Sequence, residues 1–229
     1  MNSPLNPPRP LLLGHRGARS HRSIPENSLA SFDLALQHGC DGFEFDVRLS
    51  ADGRAVICHD PIFAGLEIAT ATVDQLPQMP LLDDVLSRYG SRAFLNIELK
   101  VPGLENLLTA TLRCHDLFSD LSGGCVVSSF LPQVLVTLRQ LAPALLLGFL
   151  CDTQASLNTW REWPVQYLIP HHSLLSRELI AEFHAAGLQC ITWTVNAPDQ
   201  MRSFASWGVD GIISDETALL VSTLHPLPR

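Results

Sequence analysis

Apolar residues along this chain come in short runs, and between the runs they come at helical spacing. The runs fall at residues 11–14, 42–49, 93–99, 125–128, 145–150, 167–169, 189–195 and 211–213, most of them bounded by Gly, Pro or polar residues, as buried strands are. The intervening segments carry the other period. Leu29, Phe32 and Leu36 mark one helix over Leu29–Gln37, with Asn27 or Ser28 placed to cap it and Gly39 to stop it. Further helices are expected over 80–90, 104–115, 131–141, 153–160, 176–186, 198–206 and 216–223, the seventh with Pro198 at its first position. Strand then helix, about eight times over, predicts a parallel sheet closed into a (β/α)8 TIM barrel. One interruption stands out. After the second strand, Ala51-Asp52-Gly53 reads as a turn and 54–58 as a strand pairing back, a short hairpin insertion. Beyond it, 68–72 reads as a short strand and 73–76 as a helical turn.

Chemistry collects at the ends of these runs. Leu11-Leu12-Leu13 leads into His15, and Val56-Ile57-Cys58 leads into His59. Glu44 and Asp46 lie two apart in an apolar stretch, so a strand puts both carboxylates on one face. Buried acids must be paired, protonated or bound to a metal. A third acid, Glu98, sits in another apolar run, two residues before Lys100. Three carboxylates suit a hard divalent cation, Mg2+ or Ca2+. Arg16 and Lys100 suit phosphate oxygens. Two histidines can supply an acid and a base near neutral pH. In a TIM barrel the site lies at the C-terminal strand ends, where His15, Glu44, Asp46, Glu98, Lys100, Phe130, His171, Trp193 and Asn196 fall or nearly fall.

Composition narrows the choice. Of the 229 residues, 46% are hydrophobic, enough for a large core, and the formal net charge is −8, which argues against nucleic acid as a partner. A small anionic substrate therefore needs local positive charge. Leu11–Leu13 is far too short for a signal-peptide core, and no run approaches the roughly 20 apolar residues of a spanning helix. The six cysteines are scattered without a Cys-x-x-Cys, so free thiols in a cytoplasmic protein are expected, with no stable membrane insertion. No linker is visible, and a single domain over 1–229 is expected, with the barrel at about 10–224.

These motifs also resemble a known family. His15-Arg16-Gly17-Ala18, Pro25-Glu26-Asn27, Glu44-x-Asp46-Val47, Asp52-Gly53, His59-Asp60-Pro61 and Glu98-x-Lys100 look like the glycerophosphodiester phosphodiesterases. The likeness continues in order to Trp193-Thr194-Val195-Asn196 and to Gly208 through Asp215. The resemblance implies a barrel of the PLC-like phosphodiesterase type, of the bacterial cytoplasmic kind, that hydrolyses small glycerophosphodiesters to glycerol 3-phosphate and an alcohol. It implies a divalent cation on Glu44, Asp46 and Glu98, with Glu26 as a fourth ligand or a partner of one. It implies His15 and His59 as the acid–base pair, Arg16 and Lys100 on the phosphate, and Asn27 holding phosphate or orienting Glu26. Phe130 and Trp193 would wall the glycerol or the leaving alcohol. His171 and His172 read as structural, and Asp60, Asp210 and Asp215 as loop hydrogen-bonders. The sequence departs from the family after His59-Asp60-Pro61, where many members carry a longer insertion than the stretch 62–79. Two other readings stand beside this one: a lysophospholipase D-like hydrolase, which needs an apolar groove, and a catalytically silent barrel that binds phosphodiesters. A sugar-phosphate isomerase barrel would have no use for a three-acid cation site.

Overall fold

The computed structural model describes residues 9–76, 79–117 and 124–225. Eight parallel strands form its centre: β1 (Leu11–His15), β2 (Gly42–Leu49), β3 (Phe94–Leu99), β4 (Cys125–Ser129), β5 (Leu147–Cys151), β6 (Tyr167–Pro170), β7 (Gln189–Thr192) and β8 (Gly211–Ser214). Each pairs with the next, and β1 pairs with both β2 and β8, so the barrel is closed. Outside it run α1 (Leu29–Gln37), α2 (Leu82–Tyr89), α3 (Glu105–Cys114), α4 (Pro132–Leu141), α5 (Gln154–Leu157), α6 (Arg177–Ala185), α7 (Pro198–Trp207) and α8 (Thr217–Leu224). No described helix is long and apolar enough to cross a membrane. The ends of the expected domain, residues 1–8 and 226–229, lie outside the described residues.

The alternation along each strand sorts residues into two layers. In β2, Phe43, Phe45 and Val47 join the large cluster between sheet and helices, as do Leu95, Ile97 and Leu99 of β3. Phe43 stacks on Phe32 of α1 at 4.2 Å and meets the ring of Tyr89 of α2 edge-on at 5.0 Å. The barrel interior is a second, smaller cluster that includes Leu13, Val126, Leu150, Ile169, Ile191 and Ile213. The remaining parity of β2 and β3 points inward and carries Glu44, Asp46, Asn96 and Glu98. Those two strands run close: a Cβ on Gly42 would lie 1.8 Å from the Phe94 carbonyl oxygen, so only glycine starts β2.

Local signals set the helix ends. Ser28 is the cap of α1, its hydroxyl accepting from Ser31 N–H. Proline opens α4 and α7, and Gly208 ends α7 with φ +90°.

The insertion differs from its expectation. Ala55–Ile57 does pair antiparallel with β2. Residues 68–72 are no strand: Ile68–Thr70 is a 3-10 turn in which Ile68 alone of the three is buried, its N–H donating to Pro61 O and its carbonyl accepting from Ala71 N–H. The strands here are instead Ile62–Phe63 and Leu66–Glu67, joined through Ala64 at φ 49° and Gly65 at φ 84°, the positive pair a two-residue hairpin needs. The seventh strand also stops early, at Thr192. Val195 stays fully buried and its N–H still reaches Ile213 O, which is why the apolar run reads as strand beyond the ladder.

Candidate active site

Parallel register makes the acids neighbours. Glu44 lies beside His15 of β1 and Asn96 of β3, and Asp46 lies beside Glu98. One oxygen from each of Glu44, Asp46 and Glu98 falls within 4.8 Å of the others, and all three side chains are buried. Burial, reinforced by Asp46 and Glu98, raises Glu44 well above the usual carboxylate range. Burial, then Asp46, pushes Glu98 up to about 7. Lys100 Nζ stands 2.6 Å from Glu98 and 3.4 Å from Asp46. Burial works against its charge, yet those two acids outweigh it and hold the ammonium above its ordinary value. Three carboxylates against Lys100 and Arg16 leave one formal negative charge in a buried place, and Glu44 Oε1 has no hydrogen-bond partner there. This set fits a divalent cation: hard oxygen donors, excess negative charge and an open buried oxygen.

Arg16 is placed by an unusual backbone, φ 51° in a non-glycine residue. Gly17 follows at φ +82°, and a Cβ there would meet Ser31 Oγ at 2.4 Å. The turn aims Arg16 N–H at Glu44 Oε2, 3.0 Å away, and the guanidinium toward Asp46 at 3.3 Å and Glu26 at 2.7 Å. Glu26 is thus held by Arg16 and by Arg19 at 2.7 Å. Although half burial opposes it, those two guanidiniums keep Glu26 below the carboxylate norm. Glu26 lies outside the three-acid group and bonds to Arg16, which in turn reaches Asp46. The amide of Asn27 donates to Asp46 Oδ2 at 2.8 Å and its Oδ1 accepts from Asp46 N–H at 3.3 Å, so it braces a cluster acid.

Each histidine has its own acid. His15 Nδ1 lies 2.7 Å from Asp215 Oδ1, and His15 Nε2 lies 3.9 Å from Glu44. Asp215 is half-buried, but its bonds to His15 and to Asn196 lower it to about 2. An ionised carboxylate only accepts, so Nδ1 of His15 carries the proton and Nε2 faces the cavity. His59 repeats the pattern with Asp60 at 2.7 Å. Burial depresses His59 overall, against the raising effect of Asp60. Both acids fall in sequence motifs read as loop hydrogen-bonders, and the bond each makes is to a histidine. For Asp215 a signal existed: it follows the last strand, and closing the barrel sets that strand beside the one ending in His15.

A cavity of about 270 Å³ opens at these strand ends. Its lining includes the polar His15, Arg16, Glu44, His59, Glu98, Lys100 and Asp152 and the apolar Phe130, Leu150, Trp193 and Ile213. Phe130 and Trp193 meet edge to face at 5.6 Å, and Trp193 Nε1 donates to Ile169 O at 2.9 Å, fixing its ring. His171 backs Trp193 at 5.2 Å outside the lining, as a structural histidine does. Next to this cavity, sharing His59, lies another of about 500 Å³ whose walls include Ile57, Ile62, Phe63 and Met79.

Comparison with known proteins agrees with this geometry. The model of the glycerophosphoryl diester phosphodiesterase family matches residues 15–117 and 65–219. A glycerophosphodiester phosphodiesterase of Caldanaerobacter subterraneus is 27% identical over 245 residues, covering 94% of this chain and 98% of that one. One from Bacillus subtilis is 28% identical over 252 residues, covering 92% and 85%. Among solved structures, an Oleispira antarctica phosphodiesterase in complex with the product sn-glycerol-3-phosphate superposes with a TM-score of 0.81 at 27% identity, covering 94% and 96%. The glycerophosphodiester phosphodiesterase of Thermotoga maritima gives 0.75 at 27% identity, covering 93% and 97%.

Proposed function

The chain belongs to the glycerophosphoryl diester phosphodiesterase family and is a phosphoric diester hydrolase, and from that premise we propose how its residues divide the work. The substrate is a small glycerophosphodiester and the products are glycerol 3-phosphate and an alcohol. Glu44, Asp46 and Glu98 hold a divalent cation, Mg2+ or Ca2+. When bound, it supplies Lewis-acid polarisation of the phosphoryl group. Arg16, whose Nε is buried without a hydrogen bond, takes a non-bridging phosphate oxygen. Lys100 offsets the charge that builds on the phosphoryl oxygens in the transition state. Of His15 and His59, one removes the proton of the attacking hydroxyl and the other protonates the leaving alcohol. Phe130 and Trp193 form the apolar wall.

The observation that carries this reading is the buried three-acid cluster flanked by two acid-oriented histidines and two cations. The test is glycerol 3-phosphate release from glycerophosphocholine and glycerophosphoethanolamine with Mg2+, with Ca2+ and with EDTA, beside His15→Ala and Glu44→Ala. Cation-dependent release, lost in both variants, is expected. No release from folded protein with any cation would sink the reading.

One observation favours a second substrate class. The larger cavity sharing His59 is mostly apolar, and Ile62 and Leu66 at its hairpin are 59% and 40% exposed. An acyl chain fits such a surface, which extends the reading to lysolipids. Choline release from lysophosphatidylcholine, lowered by Ile62→Ser, would support it; no release would remove it. We further place the whole chain in one catalytic domain, since both halves of the described chain enter one barrel. A cytoplasmic location is supported by six cysteines that are all free.

A further inference from the structure

We propose that Asp152 selects for substrates whose released alcohol carries an ammonium group, an inference that rests on the hydrolase reading above. The catalytic cavity is lined by two chemically different sets of side chains. Arg16 and Lys100 are fit for an anionic phosphate. Phe130, Trp193 and Asp152 line the same cavity. Asp152 is the first residue after β5, so it sits at the strand-end mouth of the barrel, and it is exposed to solvent. It lines the same cavity as the acid cluster without belonging to that cluster. The site's other flanking acids are engaged: Asp215 with His15, Asp60 with His59, Glu26 with two arginines. Asp152 lines the cavity with no hydrogen bond or ion pair among the described residues, and its charge acts on the neighbouring His171.

The two rings that line the cavity with it suit the same partner. Trp193 is fixed by its bond to Ile169, and Phe130 is packed against it. Aromatic faces attract cations, most of all the poorly hydrated quaternary ammonium. This site already shows the affinity, since Lys100 Nζ stands over the Phe130 ring at 5.8 Å. A phosphodiester with an ammonium-bearing alcohol is a zwitterion, anionic at one end and cationic at the other. The cavity lining holds a complement for each charge, Arg16 and Lys100 for the phosphate and Asp152 with two rings for the ammonium. A carboxylate here would instead serve a neutral glycerol by accepting its hydroxyls, but glycerol is common to every substrate of this reaction and would give no selectivity.

The experiment compares kcat/KM for glycerophosphocholine, glycerophosphoethanolamine and the uncharged-alcohol diester glycerophosphoglycerol, in wild type and Asp152→Asn, with circular dichroism to confirm folding. The ratio of cationic to uncharged substrate is expected to fall about two- to fivefold in the variant, the size of an exposed ion pair. Added salt should erode that ratio in wild type more than in Asp152→Asn. Choline should inhibit wild type better than its uncharged carbon isostere, and the variant should keep only the smaller preference that the rings supply. An unchanged ratio, or an equal loss on all three substrates, would overturn the assignment and move Asp152 to the glycerol or to the scaffold. Failure of wild type on all three diesters would overturn the hydrolase reading itself.

Discussion

In the proposed mechanism His15 acts only in the right tautomer, and the residue that sets the tautomer is Asp215. Its carboxylate is held by Asn196 Nδ2 at 2.7 Å and touched by Arg19 at 3.3 Å, so it has little freedom to turn away. Asp215→Asn keeps the shape and loses the charge. By comparison with acid-oriented histidines in other hydrolases, kcat should drop about a hundredfold or more, while Asp215→Glu should recover part of it. The same carboxylate makes a stability prediction with a definite sign. Its pKa is about 2 in the folded protein against 3.8 as a free side chain. A depressed acid stabilises the fold above its unfolded pKa, and the benefit disappears as pH falls through the folded value. The stability gap between wild type and Asp215→Asn in urea titrations should therefore be full near neutrality and close between pH 4 and pH 2. Glu44 has the opposite sign. It is a buried acid raised by its neighbours, so without divalent cation Glu44→Gln should raise the unfolding midpoint at mildly alkaline pH. With cation at a hundred times its Kd, wild type should gain about 2.7 kcal/mol and the variant less, reversing the order. Differential scanning calorimetry with and without EDTA checks both halves.

At the scale of elements, β2 shows why so much was legible. Its odd residues are aromatic or branched, and two of its even residues, Glu44 and Asp46, are acids, so the strand period alone puts the acids on one face. The outward side carries the packing. Phe43 is fully buried between Phe32 and Tyr89, and Phe43→Ala should cost about 3–5 kcal/mol by denaturant titration while leaving the acid cluster its ligands. The insertion was not legible for the complementary reason. A two-residue strand has no period to read, and Ile62–Phe63 and Leu66–Glu67 are each that short. Ile68, with 1% exposure, packs with Val56 and Leu76, so its burial comes from a small satellite cluster and not from a sheet.

For the whole molecule, the eightfold alternation predicts the barrel, and the barrel predicts which ends of the strands carry chemistry. Partners within one strand, such as Glu44 and Asp46, could be read directly. Partners across the closure could not, because nothing near His15 in sequence points to Asp215, 200 residues away. Asp152 was hidden likewise: one exposed acid after one strand means nothing until Phe130 and Trp193 are seen on the same cavity. The seam between β1 and β8 has one more consequence. The cluster acids and both imidazoles are present once the ribosome has passed the third strand, yet the carboxylate that turns His15 arrives only after the eighth. On the proposed mechanism a nascent chain lacks its tautomer-setting carboxylate until its last strand docks on its first, so the rise to full turnover during synthesis would mark the moment the ring is complete.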